Sequence, residues 1–268
     1  MKNWLYYLLL IFWTILFIYP FLWMISATIR PEYEVGGLDI LPSQFTLSSY
    51  VKVFEKIPIV RAFFNSLFVA LTVTAGVLVF GSMIGYALSR LHFRGRDTIF
   101  YLVLFTMMIP FQIILIPLYI LMVKFGWVNS YLSLIVPWLV SALGIVLFRQ
   151  YFQSVPQDVI DAARIDGCNE LQIIFRIIWP ISVPTLITVG ILTFMTTWNE
   201  VLWPLIVIRE HDLMTMPQLV TIFTVGGQAE SLLGVQLAAA TLLALPVIIA
   251  YAFFQKYFIE SMATSGLK

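Results

Sequence analysis

The densest cluster of ionisable side chains in this 268-residue chain lies in QDVIDAARIDGCNE, residues 157–170: Asp158, Asp161, Arg164, Asp166 and Glu170. No motif for catalysis accompanies it. The chain holds no HExxH, no GxSxG and no convincing pair of carboxylates inside an apolar stretch, so an enzyme reading lacks reactive residues. It also lacks GxxxxGK[ST], the loop whose backbone amides cradle a nucleotide's phosphates, so any ATP chemistry belongs to another polypeptide. Cys168 is the only cysteine, and the two histidines, His92 and His211, are far apart in sequence. An internal disulfide is impossible, and a dedicated metal site or bound cofactor is not expected.

The elements that carry the cluster must be membrane helices. The composition is 61% hydrophobic and 16% aromatic with 11% charged residues, and mean hydropathy is +0.96. A bilayer core of about 30 Å takes roughly 20 apolar residues in helix. Six stretches satisfy this, at about 4–26, 62–89, 98–123, 131–150, 179–206 and 234–255. The first is too long for a cleaved leader and reads as an uncleaved span. Pro110, Pro117 and Pro246 predict kinks, and the small residues Ala70, Ala75, Gly76, Gly81 and Gly85 predict close helix packing in the second span. The net charge of +1, without a basic run, argues against a nucleic-acid partner.

Six spans put both termini on one side. With termini inside, the cytoplasmic lysines and arginines are Lys2, Arg90, Arg94, Arg96, Arg149, Arg164, Arg176, Lys256 and Lys268. Those outside are Arg30, Lys52, Lys56, Arg61, Lys124 and Arg209. The tight loop SRLHFRGRD (89–97) weighs further for inside. The expected placement is therefore multi-pass in a cell membrane, with cytoplasmic termini. Residues 30–61 and a loop from 209 to 233 then lie outside, as connectors or as a surface for an extracytoplasmic partner.

The charged cluster cannot sit in hydrocarbon. At about 2.5–3.5 kcal/mol per charge near mid-bilayer, five charges would cost on the order of 15 kcal/mol. Its sequence instead predicts a short helix outside the core: a capping box from Ser154 to Gln157, Pro156 in the first turn, Asp158 at the positive end of the dipole, and Gly167 as a left-handed stop. Val159, Ala162 and Ala163 share one face, flanked by Asp158, Asp161 and Asp166. A small apolar face bordered by acids suits docking into a groove on another protein. It suits a membrane surface less well, since interfacial helices favour lysine, arginine and bulky apolar side chains.

At these residues the chain resembles a known family, the inner-membrane permease subunits of ABC importers. Their cytoplasmic EAA loop runs E-A-A-x-x-D-G, about a dozen residues, then prolines. Asp161, Ala162, Ala163, Asp166, Gly167, Pro180 and Pro184 take those places, with Asp161 where glutamate is usual and Cys168 where alanine is common. YPFLWMISATIRP (19–31), FFNSL (63–67) and TTWNEVLWPLIVI (196–208) are similar to the carbohydrate-uptake subfamily of the maltose-system type. The resemblance implies an all-α fold with six transmembrane helices and a short cytoplasmic coupling helix, in a bacterial or archaeal cell (inner) membrane. It implies a homologous sister permease making a heterodimer, a cytosolic ABC ATPase dimer that uses the ATP, and an extracytoplasmic solute-binding protein. It implies sugar import by alternating access, with the EAA helix seated in a cleft of the ATPase.

Residues 1–60 would then hold the first helix and an extracytoplasmic segment, 61–258 the permease core with its EAA loop at about 154–180, and 259–268 a cytoplasmic tail. A sugar path needs neutral hydrogen-bonding groups beside aromatic faces, which Trp198, Asn199 and Trp203 offer, and Glu200 beside them could meet a partner. Hydroxyls within spans, such as Ser82, Thr188, Thr193 and Thr196, more often bond their own helix. A different class, a secondary transporter or channel subunit, would need no ATPase but would use buried ionisable groups that this sequence does not obviously show.

Overall fold

The computed structural model describes residues 2–37, 39, 41–227, 229 and 232–265. In chain order the helices are α1 (Lys2–Thr28), α2 (Ser48–Lys56), α3 (Ile59–Arg90), α4 (Arg96–Thr106), α5 (Phe111–Phe125), α6 (Tyr131–Ile135) and α7 (Ala142–Ser154). They continue as α8 (Gln157–Ile165), α9 (Glu170–Gln172), α10 (Trp179–Ile181), α11 (Val183–Trp198), α12 (Leu202–Val207), α13 (Met216–Val225) and α14 (Leu233–Ser265). A π-helical segment, Ile173–Ile178, joins α9 to α10. No strand occurs among the described residues.

Four helical stretches are long and apolar enough to cross a membrane: Tyr6–Thr28, Ile59–Arg90, Tyr131–Ser154 and Leu233–Phe253. Two bent pairs, each counted as one span, complete the expected six. The expected third span is not one straight helix, because α4 and α5 meet at 100°. Pro110 sits at the N-cap of α5 with extended backbone; it has no N–H to give and disfavours helix in the residue before it. The expected fifth span, 179–206, is likewise divided. The arm Glu170–Ile181 meets α11 at 90°, and α11 ends at Trp198 before the separate α12. Pro117 and Pro246, by contrast, lie inside continuous helices.

Two compact units divide the chain. The first comprises residues 1–63 and 215–246. Here α1 ends in a knot made by Arg30, which is 1% exposed. Its Nη2 donates to Ser26 Oγ and to Asp39 O, both at 2.6 Å, and its Nε donates to Ser26 O at 3.4 Å. A cation thus meets the Ser26 carbonyl in the last turn of α1, where the dipole favours it. Thr28 Oγ1 pairs with Tyr50 OH of α2 at 2.9 Å. Gly234 N donates to Glu32 Oε1 at 3.0 Å, and a Cβ there would lie 2.7 Å from Glu32 Oε2, so a larger residue would displace the carboxylate. The expected loop from 209 to 233 contains α13, whose Met216, Pro217, Gln218, Leu219, Val220 and Phe223 are buried. Its ten residues are too few to register as a span.

The second unit comprises residues 64–214 and 247–268. Its centre is the crossing of α3 and α7. A Cβ on Gly85 would stand 2.7 Å from Phe148 Cβ and 3.0 Å from Arg149 N, and one on Gly144 would stand 3.0 Å from Val77 Cγ1. Small residues let these backbones approach, as the spacing in the second span predicts. Phe148 and Phe152 stack there at 5.6 Å and are fully buried. The boundary expected at 258 falls within α14, which continues to Ser265; residues 266–268 of the expected tail lie outside the described residues.

Candidate functional site

The charged cluster forms a short helix whose ends differ from expectation at the front and agree at the back. Ser154 is the last residue of α7, and its Oγ donates to Tyr151 O at 2.7 Å rather than capping α8. Pro156 takes the N-cap position without a side-chain bond, so the expected box with Gln157 is not formed. Asp158 does lie in the first turn, where the dipole favours a carboxylate. At the other end Gly167 has φ +83°; its N–H donates to Arg164 O and that of Cys168 to Ala163 O, both at 3.0 Å. These are the paired bonds of a Schellman stop. The capping box is built two residues after Gly167, where Asn169 and Gln172 exchange side-chain and backbone bonds of 2.9 Å.

The predicted docking face splits. Ile160 and Ala163, three residues apart, are 0% and 4% exposed and anchor α8 on the chain's own body. Val159, Ala162 and Asp158 are exposed, and so is Ile165, at 87%. Ile165 was not among the residues expected to dock, although its position one turn from Asp161 and Ala162 places it beside them. Asp161 and Asp166 are also exposed. The free side of α8 is therefore an apolar patch rimmed by acids, with Ala163 turned away from it.

Side chains from α3 hold α8 in place. Arg90, at the end of α3, donates through Nε to Phe152 O at 2.9 Å and through Nη1 to Gln157 Oε1 at 3.0 Å; its Nη2 reaches Phe152 O and Val155 O. It thereby satisfies carbonyls left open where α7 ends. One turn earlier Tyr86, 1% exposed, donates its hydroxyl to Glu170 Oε2 at 2.5 Å. Glu170 Oε1 accepts from Arg164 Nε at 3.0 Å, and that carboxylate raises the Arg164 guanidinium further above its ordinary value. Asp161 Oδ1 accepts from Arg164 Nη1 at 3.3 Å and from Gln157 Nε2 at 3.0 Å.

After the capping box the chain enters the π-helical segment, whose Ile173, Ile174 and Ile178 are buried. Trp179 Nε1 donates to Ser82 Oγ of α3 at 3.0 Å. Ser182, fully buried, marks the 90° bend and donates to Ile178 O at 2.6 Å. Of the two re-entry prolines, Pro180 lies before the bend in α10 and Pro184 in the first turn of α11, where a missing N–H costs nothing.

The residues expected near a solute path fare differently. Trp198 is 1% exposed and stacks on Phe194 at 5.8 Å; Trp203 is equally buried and donates to Ser133 O at 2.8 Å. Their faces are covered by the chain itself. Asn199 is exposed, with Nδ2 on Met195 O at 2.8 Å. Glu200 accepts from Trp203 N at 3.0 Å and so steadies the start of α12. Ser82, Thr188 and Thr196 bond carbonyls of their own helices. A cleft of about 40 Å³ between α7 and α11 is lined by Ser141, Leu143, Gly144, Leu147, Val189, Leu192, Thr193 and Thr196. Ligand pockets are roughly 300–1,000 Å³, so this cleft holds no sugar by itself.

Comparison with known proteins agrees with this architecture. The profile of the binding-protein-dependent transport system inner membrane component family matches residues 77–264. The arabinooligosaccharides transport system permease protein AraQ of Halalkalibacterium halodurans is 38% identical over 257 residues, covering 94% of this chain and 91% of that protein. The trehalose/maltose transport system permease protein MalG of Thermococcus litoralis is 31% identical, covering 95% and 92%. Among solved structures, a chain of a bacterial ABC transporter involved in the import of the acidic polysaccharide alginate superposes with a TM-score of 0.83 at 25% identity, covering 96% of each chain. The chain belongs to the inner-membrane component family of binding-protein-dependent transport systems, as the permease subunit of an ABC importer.

Proposed function

We propose that this permease imports a sugar of the oligosaccharide class and receives its ATPase on the exposed side of α8. The observation that carries the docking half is Ile165. A large apolar side chain 87% exposed, rimmed by Asp158, Asp161 and Asp166 on a helix outside the spans, suits a protein groove. With about half the pathway on each of two permeases, a sister subunit completes what a 40 Å³ cleft cannot provide. An extracytoplasmic binding protein delivers the solute. The termini and α8 face the cytoplasm, as the arginines of the 89–97 loop favour. Sugar is the substrate because the relatives named for a solute carry saccharides: arabinooligosaccharides for one, trehalose and maltose for another. The chain binds no nucleotide; the partner ATPase uses ATP, and its closure moves α8 and with it the bundle between inward- and outward-open states.

Two measurements test this. With Cys168 replaced by serine, an Ile165→Cys variant should crosslink to a cysteine in the ATPase cleft; absence of the crosslink in an actively transporting complex would sink the docking claim. Reconstitution with the ATPase, sister permease and binding protein should show ATP hydrolysis stimulated by one member of a saccharide panel. Stimulation by no saccharide, with a non-sugar solute effective, would overturn the substrate class.

A further inference from the structure

The bonds around α8 form a closed circuit. Tyr86 OH donates to Glu170, Glu170 accepts from Arg164, Arg164 donates to Asp161, Asp161 accepts from Gln157, and Gln157 accepts from Arg90, at 2.5, 3.0, 3.3, 3.0 and 3.0 Å. Tyr86 and Arg90 lie four residues apart on α3, so the circuit begins and ends one helical turn apart on the same helix. Its far side is α8. We infer that this ring is a yoke, with Tyr86, Arg90 and Glu170 as positioning residues that make the coupling helix and α3 move as one body. The inference rests on the docking of the ATPase at α8 proposed above.

Three features favour a mechanical role over a merely stabilising one. The ion pairs in the ring are one-third to one-half exposed, with side-chain exposures of 35% for Arg164, 52% for Asp161 and 42% for Glu170. Exposed pairs of this kind add little to stability, so their use is geometric. The apolar anchors Ile160 and Ala163 hold α8 against the body, but burial is non-directional and does little to stop the helix turning or sliding where it lies. Directional, charge-assisted bonds fix that orientation, and the shortest in the ring belongs to the buried Tyr86. Asp161, at the position where the family pattern has glutamate, spends its Oδ1 inside the ring, on Arg164 and Gln157. Its shorter arm suits this internal task.

The test uses the complete complex in proteoliposomes, with Tyr86→Phe, which removes one hydroxyl, and Glu170→Gln, which keeps the side chain's shape but weakens its hold on Arg164. Four quantities are read: assembly, the Ile165→Cys crosslink to the ATPase, ATP hydrolysed and sugar imported. The yoke predicts normal assembly, a retained crosslink and continued hydrolysis, with sugar moved per ATP lower by about fivefold or more. The double variant should be no worse than the lower single one, because both cut the same ring. An unchanged ratio of sugar to ATP in both single variants overturns the inference. So does a fall in both activities that tracks loss of assembly, which marks Tyr86 and Glu170 as structural only. Failure of the crosslink in the otherwise unaltered complex overturns the docking reading instead, so the two failures are distinct.

Discussion

Gly81 and Gly85 stand one turn apart on α3 and face the same residue, Phe148, yet an added methyl group should have opposite effects at the two. At Gly81 the new Cβ would meet Phe148 Cδ2 and Cε2 at 3.5 Å, ordinary van der Waals contact. Alanine is favoured over glycine in a helix interior by about 0.8–1.0 kcal/mol, so Gly81→Ala should be neutral or stabilising by up to about 1 kcal/mol. At Gly85 the Cβ would meet Phe148 Cβ at 2.7 Å, Arg149 N at 3.0 Å and Ile145 O at 3.3 Å. Two of these are backbone atoms and the third is fixed to the backbone, so no rotamer change relieves the clash. Overpacking costs about 1–3 kcal/mol; against the propensity gain, Gly85→Ala should be destabilising by up to about 2 kcal/mol, and less stable than Gly81→Ala by about 1–3 kcal/mol. Thermal unfolding in detergent micelles, followed by tryptophan fluorescence, would show the gap as separated midpoints. Because Arg90 lies beyond this crossing, Gly85→Ala should also reduce transport, by moving Phe152 O and Val155 O from its guanidinium. Coincident midpoints for the two variants would refute the close-crossing account.

Three other outcomes follow from single groups. Ile165→Ser should leave the permease as stable as before, since the side chain is already 87% exposed. It should weaken ATPase binding roughly ten- to a hundredfold, because full burial of an isoleucine contributes about 1.5–3 kcal/mol; titration of the ATPase onto detergent-solubilised permease reads this. Asn65, 6% exposed, donates to Asp212 O and Met214 O at 2.9 Å each and accepts from Tyr131 OH at 2.8 Å. Asn65→Leu removes three hydrogen bonds, at about 1–3 kcal/mol for each group thereby left unsatisfied and out of reach of water, and should free the loop before α13 to proteolysis. Bonds from the Ser43 hydroxyl and amide hold the Glu34 carboxyl below its ordinary value. A lowered folded value means the 34–43 tie is fully present above the ordinary carboxylate value and is lost as pH falls through the lowered one. Protease sensitivity of residues 30–45 should therefore rise only at acidic pH, and Glu34→Gln should abolish that dependence.

Much of the coupling region could be read from residue types alone. Asp158 and Gly167 act through their own backbone neighbourhood, and both do as their chemistry predicts. Ser154 misled because a serine three residues before glutamine also suits the end of the preceding helix, where its hydroxyl found Tyr151 O. The true box, Asn169 with Gln172, carries the same signal and was legible. The splitting of Val159, Ala162 and Ala163 was not legible, because spacing reveals which residues share a face and not which face meets the body. The 100° and 90° bends escaped for a similar reason: hydropathy windows sum composition and carry no direction. Thr215 followed by Pro217 marks the start of α13, yet ten residues cannot announce a span. Tyr86 and Arg90 were beyond reach, since their partners lie 62 to 84 positions away.

The bend at Ser182 makes the segment from Glu170 to Trp198 a bell crank. Its first arm, Glu170–Ile181, begins at the carboxylate bonded to Arg164 of α8; its second, α11, has 16 residues and is about 24 Å long. Between perpendicular arms, sideways travel at the tip of one becomes sideways travel at the tip of the other, turned through a right angle. A turn of about 10° at the pivot sweeps the Trp198 end through roughly 4 Å, the breadth of a side chain. The first arm, 12 residues and about 18 Å long, would need about 3 Å of travel at its Glu170 end for the same turn, so a displacement there would be passed on, slightly enlarged, to the stretch that carries Asn199 and Glu200.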